Sequence, residues 1–403
     1  MKNFILLSFL VLQSVLVFAQ EQPRVSQLFN FDWKFRAGDL KEAQLVTYDD
    51  DDWRVLDLPH DFQIEQTWDE SAGGARGFKA MGTGWYRKHF KANPAWKGKR
   101  VLLDFEGIML VGDVWVNGRK VGSTDYGYLG FETDITDLLK YDEDNVVAVW
   151  ASTGKKNGSR WYTGGGLFRD VHLVIKNPIA IARHGVFVST PKITEQRAEV
   201  SVQVELEGIR NKSLDIEINA RILAPDGKTV AGTRGKAPQK SKLQTLPIVT
   251  VDSPGLWSCE TPNLYTAEVS LVQDGKVIDC VTETFGIRTL EFSPDFGFKL
   301  NGKKLFLKGI SNHHDLGAVG VAAFDRAIER QFQLMKRFGY NHIRSSHNPY
   351  SESFLKLADK YGILVVDELI DKWSDNSYWG GRVPFTQLWY QMIPEWIKRD
   401  RNH

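Results

Sequence analysis

The chain has 403 residues, 42% of them hydrophobic and 12% aromatic, more than one globular core ordinarily holds, so two or three domains are expected. Lys plus Arg number 51 against 50 for Asp plus Glu, a balance that favours neither nucleic acid nor an anionic membrane surface as partner. Cys259 and Cys280 are the 2 cysteines, which argues against a disulfide framework. One bond between them and two buried thiols both remain open readings.

Residues 1–19 read as an export signal: Lys2, then an apolar run from Phe4 to Phe18 interrupted by Ser8, Gln13 and Ser14, then Val17-Phe18-Ala19 as the cleavage pattern. The run is short for a membrane span and no cationic stop follows it. An exported chain starting near Gln20, periplasmic or secreted and with no membrane span, is therefore expected. No cysteine follows the cleavage pattern, so no lipid anchor is expected there.

Residues 20–178 read as short strands broken by turns, among them Gly84-Trp85-Tyr86-Arg87-Lys88-His89-Phe90 and Val101-Leu102-Leu103-Asp104-Phe105. Val114-Trp115-Val116-Asn117-Gly118-Arg119-Lys120-Val121-Gly122 is the clearest hairpin, because Asn-Gly supplies the positive φ angles of a tight turn. The spacing predicts an all-β sandwich. Alternation returns across 179–288, as in Val200-Ser201-Val202-Gln203-Val204-Glu205-Leu206, and predicts an immunoglobulin-like sandwich that acts as a spacer.

From 289 the pattern changes. An Asn301-Gly302 hairpin precedes Leu305 to Ile310, read as the first strand of a parallel sheet, and a helix is expected from Asp325 to Phe338. Asn341-His342-Ile343-Arg344 is extended, and Ser345-Ser346-His347-Asn348-Pro349 stops it. Phe354, Leu355, Leu357, Ala358 and Tyr361 then recur at helical spacing, and Gly362 caps that helix before the apolar run Ile363-Leu364-Val365-Val366. Trp396 to His403 reads as a helix end with basic residues in its last turn.

Apolar strands joined by helices form parallel sheets buried on both faces, and in a (β/α) barrel the chemistry sits where strands end. Arg344, Ser345, Ser346 and His347 after one strand, with Asp367 and Glu368 after the next, would line one shared mouth. The plainer reading is that His347 and Asp367 only cap helices. His313 and His314 invite a metal reading, but neighbours on extended backbone point opposite ways, so no metal is expected.

Asn341, Ile343, Arg344, Ser345, Ser346, His347, Pro349, Asp359 and Gly362 closely resemble the first signature of glycoside hydrolase family 2, the β-galactosidase, β-glucuronidase and β-mannosidase group. Asn348 replaces the Tyr common after the His. Leu58-Pro59-His60-Asp61-Phe62, Gly84-Trp85-Tyr86-Arg87, Val114-Trp115-Val116-Asn117-Gly118 and Ser159-Arg160-Trp161-Tyr162-Thr163-Gly164-Gly165-Gly166-Leu167-Phe168-Arg169 resemble, in the family's order, its N-terminal sugar-binding domain. Leu256-Trp257-Ser258, Pro262-Asn263-Leu264-Tyr265 and Phe285-Gly286-Ile287-Arg288 resemble the end of its second domain. The implied architecture is a jelly-roll-like β-sandwich, an immunoglobulin-like β-sandwich and, over 289–403, the first three βα units of a (β/α)8 TIM barrel.

The resemblance implies an exported glycosidase acting on terminal β-linked sugars by a retaining mechanism, with a β-galactosidase as first reading and a β-glucuronidase or β-mannosidase as alternatives. It implies carbohydrate contacts from His313, Arg344, His347, Asp367 and Glu368, and from Arg160 and Trp161 on a sandwich loop that reaches the barrel; packing of sandwich against barrel is the competing role for that loop. Retaining hydrolysis needs two carboxyl groups roughly 5 Å apart, and side chains as close in sequence as Asp367 and Glu368 diverge. Both catalytic Glu residues are expected beyond His403, none within this chain, which alone is expected to be inactive. A non-catalytic sugar-binding or scaffold protein is the reading from another class. No cofactor is implied: some family galactosidases carry Mg²⁺ and Na⁺, but Leu369-Ile370-Asp371-Lys372-Trp373 lacks the Glu and His magnesium ligands placed there. Nothing in the sequence specifies an oligomer.

Overall fold

The structure is a computed structural model that describes residues 22–154, 160–209, 215–238, 241–372 and 382–403. The expected export signal and Trp373 lie outside the described residues. No described helix is long and apolar enough to cross a membrane.

The first sandwich packs two antiparallel sheets face to face. One orders Arg24–Leu28, Val171–Lys176, Arg100–Phe105 and Phe131–Asp134; the other orders Arg54–Leu56, Trp33–Ala37, Thr83–Lys91, Asp144–Ser152, Val111–Val116 and Arg119–Thr124. Side chains alternate between faces with a period of two, so Val101, Leu103 and Phe105 meet Val147, Val149 and Ala151 in one core that also buries Trp33 and Tyr86. The Asn117-Gly118 turn has φ of 50° and 81°, the pair of positive values a type I′ hairpin needs.

The second sandwich has Ala180–Ser189, Arg197–Glu207, Leu243–Thr245 and Val249–Asp252 facing Thr229–Lys236, Ile216–Leu223, Tyr265–Gln273 and Lys276–Phe285. Val200, Val202, Val204 and Leu206 point inward against Ile216, Ile218, Ile222, Val269 and Leu271. Cys259 and Cys280 are free thiols.

The third unit carries β1 (Gly309–Asn312), α1 (Asp325–Arg337), β2 (His342–Ser345), α2 (Glu352–Tyr361), β3 (Leu364–Val366) and α3 (Phe385–Asp400). The three strands are parallel in the order β1, β2, β3. Ile343 packs with Ile328, Phe332, Phe354 and Leu355 from the two helices, and the Phe332 and Phe354 rings lie 4.8 Å apart. Burying each such ring stabilises the unit by about 2–3 kcal/mol. Ser351 caps α2 by accepting from Phe354 N–H at 3.2 Å, and Gly362 ends it in the left-handed region at φ 67°.

One expected element moves. The first strand of the parallel sheet begins at Gly309 and not at Leu305. Asn341 is the cause: its Nδ2 donates to Phe306 O at 3.0 Å and its Oδ1 accepts from Lys308 N–H at 2.8 Å, so a side chain takes the place of a strand partner over these residues. Below the sheet, the Trp257 indole N–H donates to Asp359 O at 2.9 Å and joins the second sandwich to α2. Phe385 and Met392 of α3 pack against Met109, Leu110, Tyr126 and Tyr128 of the first sandwich. Through these contacts the C-terminal ends of β1, β2 and β3 face a loop of the first sandwich.

Candidate functional site

Because the strands are parallel and in register, with Asn312 beside Ser345 and Arg344 beside Val366, the residues that follow them meet at one edge. His313 follows β1, Ser346 and His347 follow β2, and Asp367 and Glu368 follow β3. Ile343 faces the helices, so Arg344 projects from the opposite face.

Glu368 joins two of these groups. Its carboxylate receives Arg344 Nε in a close ion pair and His347 Nδ1 at 2.7 Å. Arg344 Nη2 also lies 3.3 Å from His347 Nδ1. Both cannot be hydrogen bonds to one nitrogen: a carboxylate only accepts, so Nδ1 carries the proton and the contact to arginine is a proximity. With the proton on Nδ1, the neutral form of the ring would present its Nε2 lone pair away from Glu368.

His313 Nδ1 lies 3.0 Å from Ser346 O, a carbonyl that only accepts, which again places a proton on Nδ1, so that in the neutral form of the ring Nε2 is the acceptor. Trp161 stacks on His313 with ring centroids 5.2 Å apart and planes 13° off parallel, and it meets His347 edge-on at 5.3 Å. Trp161, His313 and His347 thus form one three-ring cluster next to the Arg344–Glu368 pair. Trp161 is itself buried, so it is a wall of the cluster and packs sandwich against barrel.

Two expected residues behave differently. Arg160 is exposed and pairs through Nη2 with both oxygens of Asp371, at 2.7 and 2.8 Å, on the rim beyond β3. Asp367 does not join the cluster. Its Oδ1 accepts from Ser345 Oγ at 2.9 Å and its Oδ2 from the Trp396 indole N–H, which turns it under α3 and away from Glu368. Burial and the neighbouring Asp400 carboxyl push its pKa up to about 7. The expected divergence of the acidic couplet follows from these separate partners.

The adjacent histidines also diverge. The His314 ring turns toward Tyr128 at 5.2 Å, Phe168 at 5.9 Å and Tyr350 at 6.3 Å. Burial, with Arg169 nearby, lowers its pKa to about 3, so it is neutral. Among the described residues, the group with metal-ligand spacing is Glu106, Asp170 and His172, on and beside strands of the first sandwich.

The sequence shows Asp61 and Tyr162 only within two separate motifs, with no sign that they pair. Tyr162 donates to Asp61 Oδ2 at 2.8 Å, and the same oxygen accepts from Val321 N–H at 3.0 Å, a partner 260 residues away. No spacing within the chain announces a contact of that range.

Chemically, the edge offers two imidazole acceptors, a guanidinium, a hydrogen-bonded carboxylate and an aromatic wall. These suit ring hydroxyls on a sugar. Of the two carboxyl groups, Glu368 pairs with Arg344 and His347 while Asp367 bonds Ser345 and Trp396, so they share no partner.

Three family models match the chain in succession: the sugar binding domain of the glycosyl hydrolases family 2 over 46–178, the family 2 domain over 180–288, and the family 2 TIM barrel domain over 294–403. The chain is similar to the beta-galactosidase BoGH2A of Bacteroides ovatus, 36% identical over 386 residues that cover 94% of this chain and 45% of that one. It is similar to a putative beta-glucuronidase of Formosa agariphila, 34% identical over 98% of this chain and 38% of that one. A crystal structure of a glycosyl hydrolase family 2 member from Bacteroides cellulosilyticus superposes with a TM-score of 0.88 at 38% identity, covering 94% of this chain and 50% of that one. The chain spans about half the length of these relatives or less. Its two sandwiches, its parallel strand and helix units and all three matched domains place it in the glycosyl hydrolases family 2.

Proposed function

We propose that this chain is the substrate-recognition part of an exported β-glycosidase that removes terminal sugars with retention, a β-galactosidase before a β-glucuronidase. The observation that carries the reading is the convergence of His313, His347, Arg344, Glu368 and Trp161 at one strand edge. His313 and His347 would accept from sugar hydroxyls through Nε2, and Arg344 would donate to ring oxygens. The two catalytic carboxyl groups would come from residues outside this chain, so this chain alone would not turn over a glycoside.

Preference for a neutral sugar has its own support. A uronate needs a cation that is not already neutralised. Arg344 is paired with Glu368 and Arg160 with Asp371, so each of these guanidinium groups already faces a carboxylate, whose charge would oppose that of a uronate while leaving N–H groups of Arg344 for hydroxyls. Export is supported by Lys2, the apolar run to Phe18 and the Val17-Phe18-Ala19 pattern.

The test is hydrolysis of 4-nitrophenyl β-galactoside, β-glucuronide and β-mannoside by the full product of the reading frame and by the 403-residue chain alone. Galactoside turnover by the former and none by the latter supports the proposal. Preference for the glucuronide, or turnover by this chain alone, would overturn it. The second reading, a sugar-binding protein without catalysis, is favoured by the separate partners of Asp367 and Glu368; it predicts sugar binding with no turnover in either protein.

A further inference from the structure

The loop that carries Trp161 to the barrel is gathered at one carboxylate. Asp61 Oδ1 accepts from the backbone N–H groups of Gln63 and Gly165, each at 2.9 Å. Asp61 Oδ2 accepts from the Tyr162 hydroxyl at 2.8 Å and from Val321 N–H at 3.0 Å. Two of the four donors belong to the sandwich loop, one to Asp61's own turn, and one to the barrel segment between β1 and α1. The residue is buried, and among the described residues no cation forms an ion pair with it. Four donors on two oxygens meet most of a carboxylate's accepting capacity without any opposite charge.

The backbone around it is shaped to allow this. Gly164 and Gly320 both lie at positive φ, 67° and 61°, and both face Asp61 Oδ2. A Cβ at Gly164 would come within 2.7 Å of that oxygen, and one at Gly320 would overlap it. One glycine lies on the sandwich loop and the other on the barrel segment, so both chains approach the same atom closely. Other links exist nearby: Ala323 N–H donates to Phe168 O at 2.9 Å, and Arg169 donates to Pro349 O at 2.8 Å. Those act beyond Gly166. Between Trp161 and Gly165, His314 meets the Thr163 backbone and Trp161 stacks on His313, while Asp61 is the carboxylate that takes donors from both sides.

We infer that Asp61 is a positioning residue for the sugar site: by holding the 162–165 loop and the barrel segment at Val321 on one carboxylate, it sets Trp161 against His313 and His347. Its effect on sugar binding rests on the reading under Proposed function. Its effect on the geometry does not.

The experiment uses the 403-residue chain and three readouts: acrylamide quenching of the Trp161 fluorescence component, taken as wild type minus Trp161→Phe; amide hydrogen exchange at Gly165 and Val321; and the melting temperature. In Asp61→Asn, the amide nitrogen faces donors, so one oxygen loses its bonds. Well below melting, quenching of the Trp161 component should rise several-fold, and protection at Gly165 and Val321 should fall together by about tenfold or more. Tyr162→Phe, which removes one donor of four, should give a smaller change of the same kind.

A residue with only a general stabilising role would lower the melting temperature and leave Trp161 as shielded as before; that result in folded Asp61→Asn overturns the inference. If that variant does not fold, Gly320→Ala displaces the same oxygen and is judged by the same two readouts. A galactose titration runs alongside. A wild-type chain that binds no galactose sinks the sugar reading, while quenching and exchange decide Asp61's geometric role separately.

Discussion

Glu368 accepts a hydrogen bond from His347 Nδ1 at 2.7 Å, so the carboxylate that follows one parallel strand sets the tautomer of the imidazole that follows its neighbour. The same carboxylate holds Arg344. A sugar arriving at this edge meets groups already oriented, and less side-chain entropy is lost on binding.

Glu368→Gln should therefore weaken galactose binding by about tenfold, close to 1.4 kcal/mol. Its effect on folding should stay within about 1 kcal/mol, because Arg344 is 45% exposed and its pair is screened by water. Calorimetric titration and urea unfolding of the same variant separate the two effects. Unchanged affinity would remove Glu368 from the site.

Asp367 predicts a pH dependence. Its folded-state pKa is raised to about 7 by burial first and by Asp400 second. An unfolded Asp titrates near about 3.9, so between about pH 4 and pH 7 the folded chain binds more protons than the unfolded one. Stability from this group is fully present below that window, falls as pH rises through it, and levels off above about pH 7. Asp367→Asn keeps partners for Ser345 and Trp396 and should be more stable than wild type at pH 8, with the gap closing toward pH 4. A constant gap across that range would contradict the assignment.

Trp161→Ala and His313→Ala should act alike on galactose binding, since each removes one face of the same stack. They should differ in stability. Trp161 is buried and its truncation should cost about 3–5 kcal/mol, whereas His313 loses one hydrogen bond worth about 1 kcal/mol. Arg160→Ala, at a half-exposed ion pair, should cost less than about 1 kcal/mol. Denaturant unfolding and calorimetry on the three variants check the ordering.

Phe332→Ala opens the core between α1 and α2 and should destabilise the third unit by about 3–5 kcal/mol. Ser351→Ala removes the cap of α2 and should cost about 1 kcal/mol. Hydrogen exchange in α1 and α2, compared with that in the first sandwich, tells whether the loss is confined to this unit.

Much of the architecture was legible because the patterns are local. Asn117-Gly118 announces its turn, Val200 to Leu206 alternate with the sheet, and Ser351 and Gly362 bracket α2. The start of β1 was misplaced because Leu305 to Lys308 look like a strand, while the side chain of Asn341 claims their backbone. Within the site, the parallel order of the strands made the meeting of His313, His347 and Glu368 foreseeable. Asp367 turned aside because Trp396, on a helix whose packing no local pattern encodes, supplies it with a donor. Asp61 was quoted only as part of a sandwich motif, since its decisive partner, Val321, is visible only after the two domains dock.

The central claim is that the ends of β1, β2 and β3 and the Trp161 loop form one surface that recognises a neutral sugar. Its most direct test is calorimetric titration of the purified chain with galactose and with glucuronate, repeated on His347→Ala. Saturable heat with galactose, weaker or absent heat with glucuronate, and loss of the galactose signal in the variant are expected. Galactose binding that His347→Ala leaves intact, or tighter binding of glucuronate, would contradict the claim.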